Sequence, residues 1–349
     1  MNNHLETVCA IVVTYNRKNL LIECLEALRR QIRPIDSIYL VDNASIDGTT
    51  ELLNEKAYLN EIPPKYLIEP WEKEFNIKNL TNCNDIVIHY VRMNENTGGA
   101  GGFYEGLKRG FEKGYDWMWL MDDDAEPQED ALAELCKYFE ISDVSALAGV
   151  VYDMSRKISL YHRGFIKFKN IFPMMQYPVQ IELYDNDIVE IDMASFVGIL
   201  VRKESIQAVG YPMKEFFIHH DDVEYCIRLR RVGRILLVTD SIILHKDQYK
   251  ERYSQKSFFR KRLARISYDK YWLSYYGIRN LVWLGKNYSL SKLLFYAGLF
   301  KNYTLNIIDI LLWDDNKAKR IIFITNAYAD GLRGSFDNKK PKKILYGTP

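Results

Sequence analysis

The apolar run Trp117-Met-Trp-Leu-Met passes without a spacer into Asp122-Asp123-Asp124. Adjacent carboxylates repel one another unless a positive charge sits among them, and the hydrophobic lead-in puts these three at the end of a buried strand, not in a solvated acidic tail. In an extended segment alternate side chains share a side, so Asp122 and Asp124 point one way and Asp123 the other. A hard divalent cation, Mg²⁺ or Mn²⁺, is the natural partner of the first and third. Such ions take carboxylate oxygens and complete their shells with water or phosphate. The competing reading is a strand that ends in a solvated acidic turn.

The neighbouring pattern says what kind of sheet that strand joins. Val8 to Thr14 is apolar and β-branched, and Leu20, Leu21, Cys24, Leu25 and Leu28 follow at helical spacing. Ser37 to Val41 reads as a second strand ending at Asp42, with a helix from Thr50. Ile86 to Val91 reads as a third strand, Gly98 to Lys113 as a glycine-started helix and Trp117 to Met121 as a fourth strand. Strands alternating with helices predict an α/β fold with a doubly wound, mostly parallel sheet that binds ligands beyond the carboxyl ends of its strands. Asp42 and Asp122 both fall at such ends. Residues 61–81 read as an insertion and 152–187 as an irregular hairpin or lid. Residues 196–201 resume the strand signal, 204–209 and 223–232 read as helices, and 235–238 and 241–244 as two short strands leading to His245.

After residue 250 the character changes. Arg252, Lys256, Arg260, Lys261, Arg262, Arg265 and Lys270 alternate with Phe258, Phe259, Tyr268, Tyr271, Trp272, Tyr275 and Tyr276 on one or two expected helices. Leu290 to Trp313 is amphipathic, and Lys339, Lys340, Lys342 and Lys343 mark an expected mobile tail. The reading is therefore a domain over 1–250 and a helical, basic and aromatic region over 251–349. That region suits peripheral contact with anionic lipid, with an oligomer interface or plain helix packing as the competing readings.

Net charge of +1 over 349 residues gives the whole molecule no bias towards nucleic acid. Five cysteines without a CxxC pair are read as reduced thiols. The start Met1-Asn-Asn-His-Leu-Glu-Thr lacks the marks of a signal peptide, and no run of about 18 residues is apolar enough to span a bilayer. A cytoplasmic protein is expected, with any membrane contact peripheral on the inner face.

Five ordered motifs carry a resemblance: Ile11-Val-Val-Thr-Tyr-Asn16, Val41-Asp-Asn-Ala-Ser-Ile-Asp-Gly-Thr49, Asn96-Thr-Gly-Gly-Ala-Gly-Gly-Phe103, the acidic triplet, and His219-His-Asp-Asp-Val-Glu-Tyr225. Together they resemble the inverting glycosyltransferases of family 2, which implies a GT-A fold over about residues 8–250 with a C-terminal helical extension. Within that family the glycine-rich segment followed by Leu-Met-Asp-Asp-Asp looks most like bacterial galactofuranosyltransferases. Rhamnosyltransferases come next. The resemblance implies transfer of a sugar from a nucleotide-sugar donor, UDP-galactofuranose first and dTDP-rhamnose second, to a cell-surface polysaccharide or lipid-linked glycan. A non-catalytic glycan or nucleotide-binding protein is the reading from another class. A metal set together with a base argues against it.

The resemblance also distributes roles. Thr14 and Tyr15 would frame the nucleoside, and Asp42 would accept the imide N–H of the base in a charge-assisted contact, with an ordinary turn aspartate as the plain alternative. Asn43 and Asp47 fit the same motif or cap the next helix. Gly98 and Gly99, with Gly101 and Gly102, would line the diphosphate or else let the helix pack closely. Asp122 and Asp124 would hold the metal with His245 as third ligand, and Asp123 would meet the ribose or sugar. Asp222 would be the catalytic base, with Asp221 and Glu224 as further candidates and helix capping as the plain alternative. His219 and His220 stand where many relatives carry an aromatic residue. Tyr275-Tyr276-Gly-Ile-Arg279-Asn280 recurs in similar form in related transferases, with no chemical step assigned to it.

Overall fold

The computed structural model describes residues 6–246, 253–258 and 261–347. The chain divides into two compact units. One comprises Met1–Phe165, Pro178–Lys214 and Asp221–Asp247, the other Ile166–Tyr177, Glu215–His220 and Gln248–Pro349.

The chain begins with β1 (Val8–Thr14), α1 (Lys18–Arg29), β2 (Ser37–Asp42), α2 (Thr49–Glu55), β3 (Trp71–Lys78), β4 (Asp85–Arg92), α3 (Gly98–Lys113) and β5 (Trp117–Asp122). There follow β6 (Ala125–Pro127), α4 (Ala131–Cys136), β7 (Val144–Tyr152), β8 (Arg163–Ile166), β9 (Gln176–Pro178), β10 (Ile188–Ile191), β11 (Met193–Ala194), β12 (Ile199–Arg202), α5 (Lys203–Val209), α6 (Asp221–Leu229) and β13 (Arg234–His245). The main sheet has ten strands in the order β10-β13-β7-β12-β5-β1-β2-β4-β3, with β6 paired to β13. Its core β5-β1-β2-β4 is parallel, whereas β3, β12, β10 and β6 run antiparallel to their neighbours. The sheet is thus mixed around a parallel core.

Local sequence explains the core. Every residue of β1 is buried, as a strand covered on both faces requires. Helix α1 turns Leu21, Cys24, Leu25 and Leu28 inward at helical spacing. Helix α3 lies against β1 through glycines: a Cβ on Gly102 would come within 2.5 Å of Val13 Cγ1, and one on Gly106 within 2.4 Å of Ile11 Cγ2. Close packing is therefore the reason for Gly102.

Two segments differ from expectation. Residues 61–81 contain β3, an edge strand on which only Phe75 and Ile77 are buried, so its outer charges hide the strand signal. The two short strands before His245 are one, β13, whose register on β7 slips between Val238 and Ile242.

In the second unit β14 (Tyr253–Phe258) and β15 (Lys261–Ile266) form an antiparallel hairpin where helices were expected. Arg252, Phe259 and Arg260 lie outside the described residues. Helices α7 (Ser274–Tyr288), α8 (Lys292–Trp313), α9 (Lys317–Arg333) and α10 (Lys340–Tyr346) follow. Tyr275, Phe323, Ile324, Ala327 and Leu345 share one core cluster, and Phe172, Val282, Phe295 and Tyr328 another. The expected mobile tail is helix α10, anchored by buried Leu345 and by Lys340 Nζ donating to Asp330 at 2.7 Å. Along α8, Leu293, Phe300, Leu305, Ile308, Leu311 and Leu312 are exposed. No helix among the described residues is long and apolar enough to cross a membrane.

Candidate active site

The first unit gathers its acids at the carboxyl end of β5. A ligand atom from each of Asp122, Asp124 and His245 lies within 4.8 Å of the others. The antiparallel pairing of His245 with Ala125 brings the histidine to the triplet. His245 Nε2 stands 3.0 Å from Asp124 Oδ1, the separation of two ligands at a right angle around an ion with bonds of about 2.1 Å. Asp124 Oδ1 is buried and its polar neighbour is the His245 ring, so two ligand atoms face one another where a buried carboxylate favours a positive charge. The donor set, two carboxylates and an imidazole, fits Mn²⁺ or Mg²⁺, with imidazole leaning towards manganese.

The charge balance is tight. Burial pushes the Asp122 carboxyl up to about 7, with the Asp124 charge adding to the shift, and burial pushes Asp123 up to about 6. Burial works the same way on Asp124, but contact with His245 and the charge of Arg17 hold it below the ordinary carboxylate range. Arg17 Nη1 donates to Asp124 Oδ2 at 2.7 Å and to Asp123 Oδ1 at 3.3 Å. Sequence reading passed over Arg17, which belongs to a loop 106 residues from Asp123. Its only local sign was its position directly after a strand-end motif. His162 was also missed. Its ring meets that of His245 edge-on at 4.9 Å, its Nδ1 is 2.8 Å from Ser195 Oγ, and burial pushes it down to about 3. A neutral imidazole there buttresses His245 without adding charge.

The second acidic group opens α6, where burial raises the Asp221 carboxyl well above the ordinary carboxylate range and the charges of Asp222 and, less strongly, Asp122 add to it. Burial also raises Asp222, to about 6, against the stabilising effect of its hydrogen bond from the Val223 N–H at 2.7 Å. Glu224 is different: buried, it takes Arg228 through Nε at 2.9 Å and Nη2 at 2.7 Å. Both oxygens of Glu224 are thus taken up by a guanidinium fork, whereas the hydrogen bond on Asp222 comes from a backbone N–H.

Several expected donor residues are engaged within the protein. Asp42 is fully buried; its Oδ1 accepts the Ser45 N–H at 2.8 Å, and its Oδ2 accepts the Tyr90 hydroxyl at 2.8 Å and the guanidinium of Arg92. Arg92 reaches it because β2 and β4 pair Asp42 with Arg92 in register. A base meeting Asp42 directly would have to displace one of these partners. Asp123, expected at the ribose or sugar, instead accepts from Thr14 Oγ1 at 2.7 Å and from Arg17. It is 3% exposed, so its present role is to fix Thr14 and Arg17. Asn43 ties β2 to the start of α3, donating to Gly98 O at 2.8 Å and accepting from the Thr97 N–H at 3.0 Å. Asp47 accepts the Lys18 and Thr49 N–H groups, the capping alternative. Tyr15 keeps an exposed ring. Gly98 is buried and adopts φ +75°, a backbone that favours glycine, while a Cβ on Gly99 would meet nothing within 4 Å, so Gly99 is the one that borders open space.

A mixed sheet with a parallel core and acids collected at its carboxyl ends has the GT-A architecture. Residues 9–210 match the family described as Glycosyl transferase family 2, and the chain belongs to that family. Among curated relatives, galactofuranosyltransferase GlfT1 of Mycolicibacterium smegmatis is 26% identical over 234 residues, covering 66% of this chain and 67% of the relative. GlfT1 of Mycobacterium tuberculosis is 27% identical over 232 residues, 65% of this chain and 66% of the relative. Among solved structures, that of S. aureus TarS has a TM-score of 0.52 at 13% identity, over 98% of this chain and 86% of that one. TarS in complex with UDP has the same score and identity, over 98% and 92%. At that identity the likeness speaks for the fold alone.

Proposed function

We propose that this chain is a metal-dependent inverting galactofuranosyltransferase, using UDP-galactofuranose to extend a cell-surface polysaccharide or lipid-linked glycan. The observation that carries the reading is the Asp122, Asp124 and His245 cluster, in a chain whose α6 opens with the acids Asp221 and Asp222 and which is similar to mycobacterial GlfT1. TarS, which shares the fold, is known in complex with UDP, so UDP heads the nucleotides to be tested.

Asp122, Asp124 and His245 would hold Mn²⁺ or Mg²⁺, which when bound offsets the charge that grows on the departing diphosphate. Asp222 takes the proton of the acceptor hydroxyl as that oxygen attacks the anomeric carbon from the face opposite the diphosphate. The new C–O bond forms while the old one breaks, its electron pair leaves with the diphosphate, and configuration inverts. A base near 6 is ionised at neutral pH and still basic enough to help. Arg17 offsets the charge of Asp123 and Asp124 and keeps Thr14 in line through Asp123. Tyr15, Gly98 and Gly99 line the donor, and Asp42 and Asn43 shape the nucleoside end from beneath.

Helix α8 of the second unit carries an exposed apolar stripe. Lys292, Lys301, Lys317 and Lys319 are exposed on or beside it, the pattern of a helix lying in the surface of an anionic bilayer. We assign it to peripheral contact with the inner face of the membrane.

The test is thermal stabilisation by UDP, dTDP and GDP, each with and without Mn²⁺. A ligand at about 100 times its Kd adds about 2.7 kcal/mol. Manganese-dependent stabilisation by UDP alone is expected. A preference for dTDP would move the donor to dTDP-rhamnose, and no response to any nucleotide would favour a non-catalytic binding protein.

A further inference from the structure

The stretch just before Asp221 and Asp222 carries backbone that L side chains resist. Phe217, His219 and His220 have φ of +65°, +71° and +68°. Left-handed geometry at bulky residues persists only where surrounding structure over-determines it, and it clusters at functional sites.

The over-determining groups belong to the second unit and to the one sequence motif left without a role. Asn280 Nδ2 shares its two hydrogens among three carbonyls in this stretch, Phe216 O at 3.0 Å, Ile218 O at 3.1 Å and His219 O at 2.8 Å. Arg279 Nη2 donates to Glu215 O at 3.1 Å and Phe216 O at 3.0 Å. Arg279 Nε donates to Asn280 Oδ1 at 2.9 Å, which orients the amide so that its N–H₂ faces the carbonyls. The Tyr276 ring stacks on Phe217 with centroids 4.7 Å apart and planes 23° from parallel, and His220 hydrogen-bonds the backbone of Gly277. Arg279 and Asn280 are both fully buried. The hydrogen bonds described for Arg279 all go to neutral oxygens, and burial pushes it down to about 10. A buried cation held by carbonyl dipoles is a costly device to maintain as mere packing. It also sits close under the backbone of its neighbour: a Cβ on Gly331 of α9 would come within 2.5 Å of Arg279 O.

We propose that Arg279 and Asn280 are positioning residues, which hold residues 215–220 in their left-handed path and so fix the course by which the chain enters α6 and presents Asp222. Tyr276 and Gly277 belong to the same clamp. The proposal rests on the reading of Asp222 as the base.

The experiment compares Asn280→Ala, Arg279→Lys and Asn280→Ala/His219→Gly with the wild type in the full chain, with Asp222→Asn in parallel. Glycine accepts φ +71° without resistance, so it removes part of the need for the clamp. Expected for Asn280→Ala is a fall in kcat of about 30-fold, with donor KM and the UDP–Mn²⁺ melting shift within about twofold of wild type, the split of an interaction felt in the transition state. Arg279→Lys, which keeps the charge and loses the fork, should lose less, about fivefold. His219→Gly should restore at least a fifth of the loss in Asn280→Ala. An unchanged kcat in Asn280→Ala, or equal losses in kcat and melting shift without rescue by glycine, would overturn the proposal. If Asn280→Ala does not fold, the glycine double variant and Arg279→Lys decide on the same criteria. Loss of transfer in Asp222→Asn beside normal transfer in Asn280→Ala defeats the clamp and leaves the base; transfer retained in Asp222→Asn defeats both.

Discussion

Replacing Asp122 by asparagine should stabilise the metal-free protein at alkaline pH. In the folded protein the Asp122 carboxyl sits at about 7, raised by burial and by Asp124, against about 3.9 in an unfolded chain. Because the folded-state value is the higher one, the native protein binds this proton more tightly than the unfolded chain between about pH 4 and 7. Stability therefore falls as pH rises through that window, and the full penalty stands above pH 7. A shift of about three units corresponds to about 4 kcal/mol. Asp122 is only part-buried and shares its field with Asp124, His245 and Arg17, so about half, 2 kcal/mol, is the figure to expect in solution. Asparagine never ionises and escapes the penalty. In EDTA, urea midpoints at pH 8 should favour Asp122→Asn by about that amount, and at pH 4.5 the two proteins should unfold at nearly equal urea. Added Mn²⁺ should raise the wild type at pH 8 and leave the variant where it was, reversing or closing the gap. An asparagine variant no more stable than wild type at pH 8, or equally more stable at both pH values, would refute the reasoning, because ionisation would then not be the source of the cost.

Three further outcomes follow. Asp222→Asn should lower transfer by about 10²- to 10⁴-fold while keeping UDP–Mn²⁺ binding, and wild-type kcat should rise with pH through about 6 and then level, since the base must lose its proton to act. His245→Ala should weaken Mn²⁺ binding at least tenfold by calorimetry, since even outer partners of a metal site are worth about 10- to 100-fold. Phe300→Glu on the exposed stripe of α8 should abolish sedimentation with phosphatidylglycerol vesicles at low salt without moving the melting temperature; unchanged sedimentation would remove α8 as the lipid contact.

The parts of the molecule legible in its sequence were those with a local period. The buried run of β1, the inward leucines of α1 and the apolar lead-in of β5 announce themselves because both faces of the strand, or one stripe of the helix, must be apolar. The edge strand β3 does not, because only Phe75 and Ile77 of its eight residues are buried and its outer face is charged. The hairpin of β14 and β15 looks helical for a related reason, since cations and aromatics interspersed without a clean alternation leave the period undecided. Helix α10 hides behind its lysines, and the single fully buried leucine at 345 docks it. At the site, the acids were visible as residue types in order, whereas their partners were not. Arg17 meets Asp123 and Asp124 only after strands β1 and β5 pair, and Arg92 covers Asp42 only through the register of β2 on β4. The same long-range pairing gives Asp42 and Asp123 internal partners that their motifs alone do not reveal.

The most direct test of the account is transfer itself: purified protein, UDP-galactofuranose and a lipid-linked glycan fraction, with Mn²⁺ or with EDTA, and the product's anomeric configuration read by NMR. The account predicts a galactofuranosyl product of inverted configuration that forms with Mn²⁺ and not with EDTA, and that Asp222→Asn fails to make. Product of retained configuration, or equal product in EDTA, would contradict it.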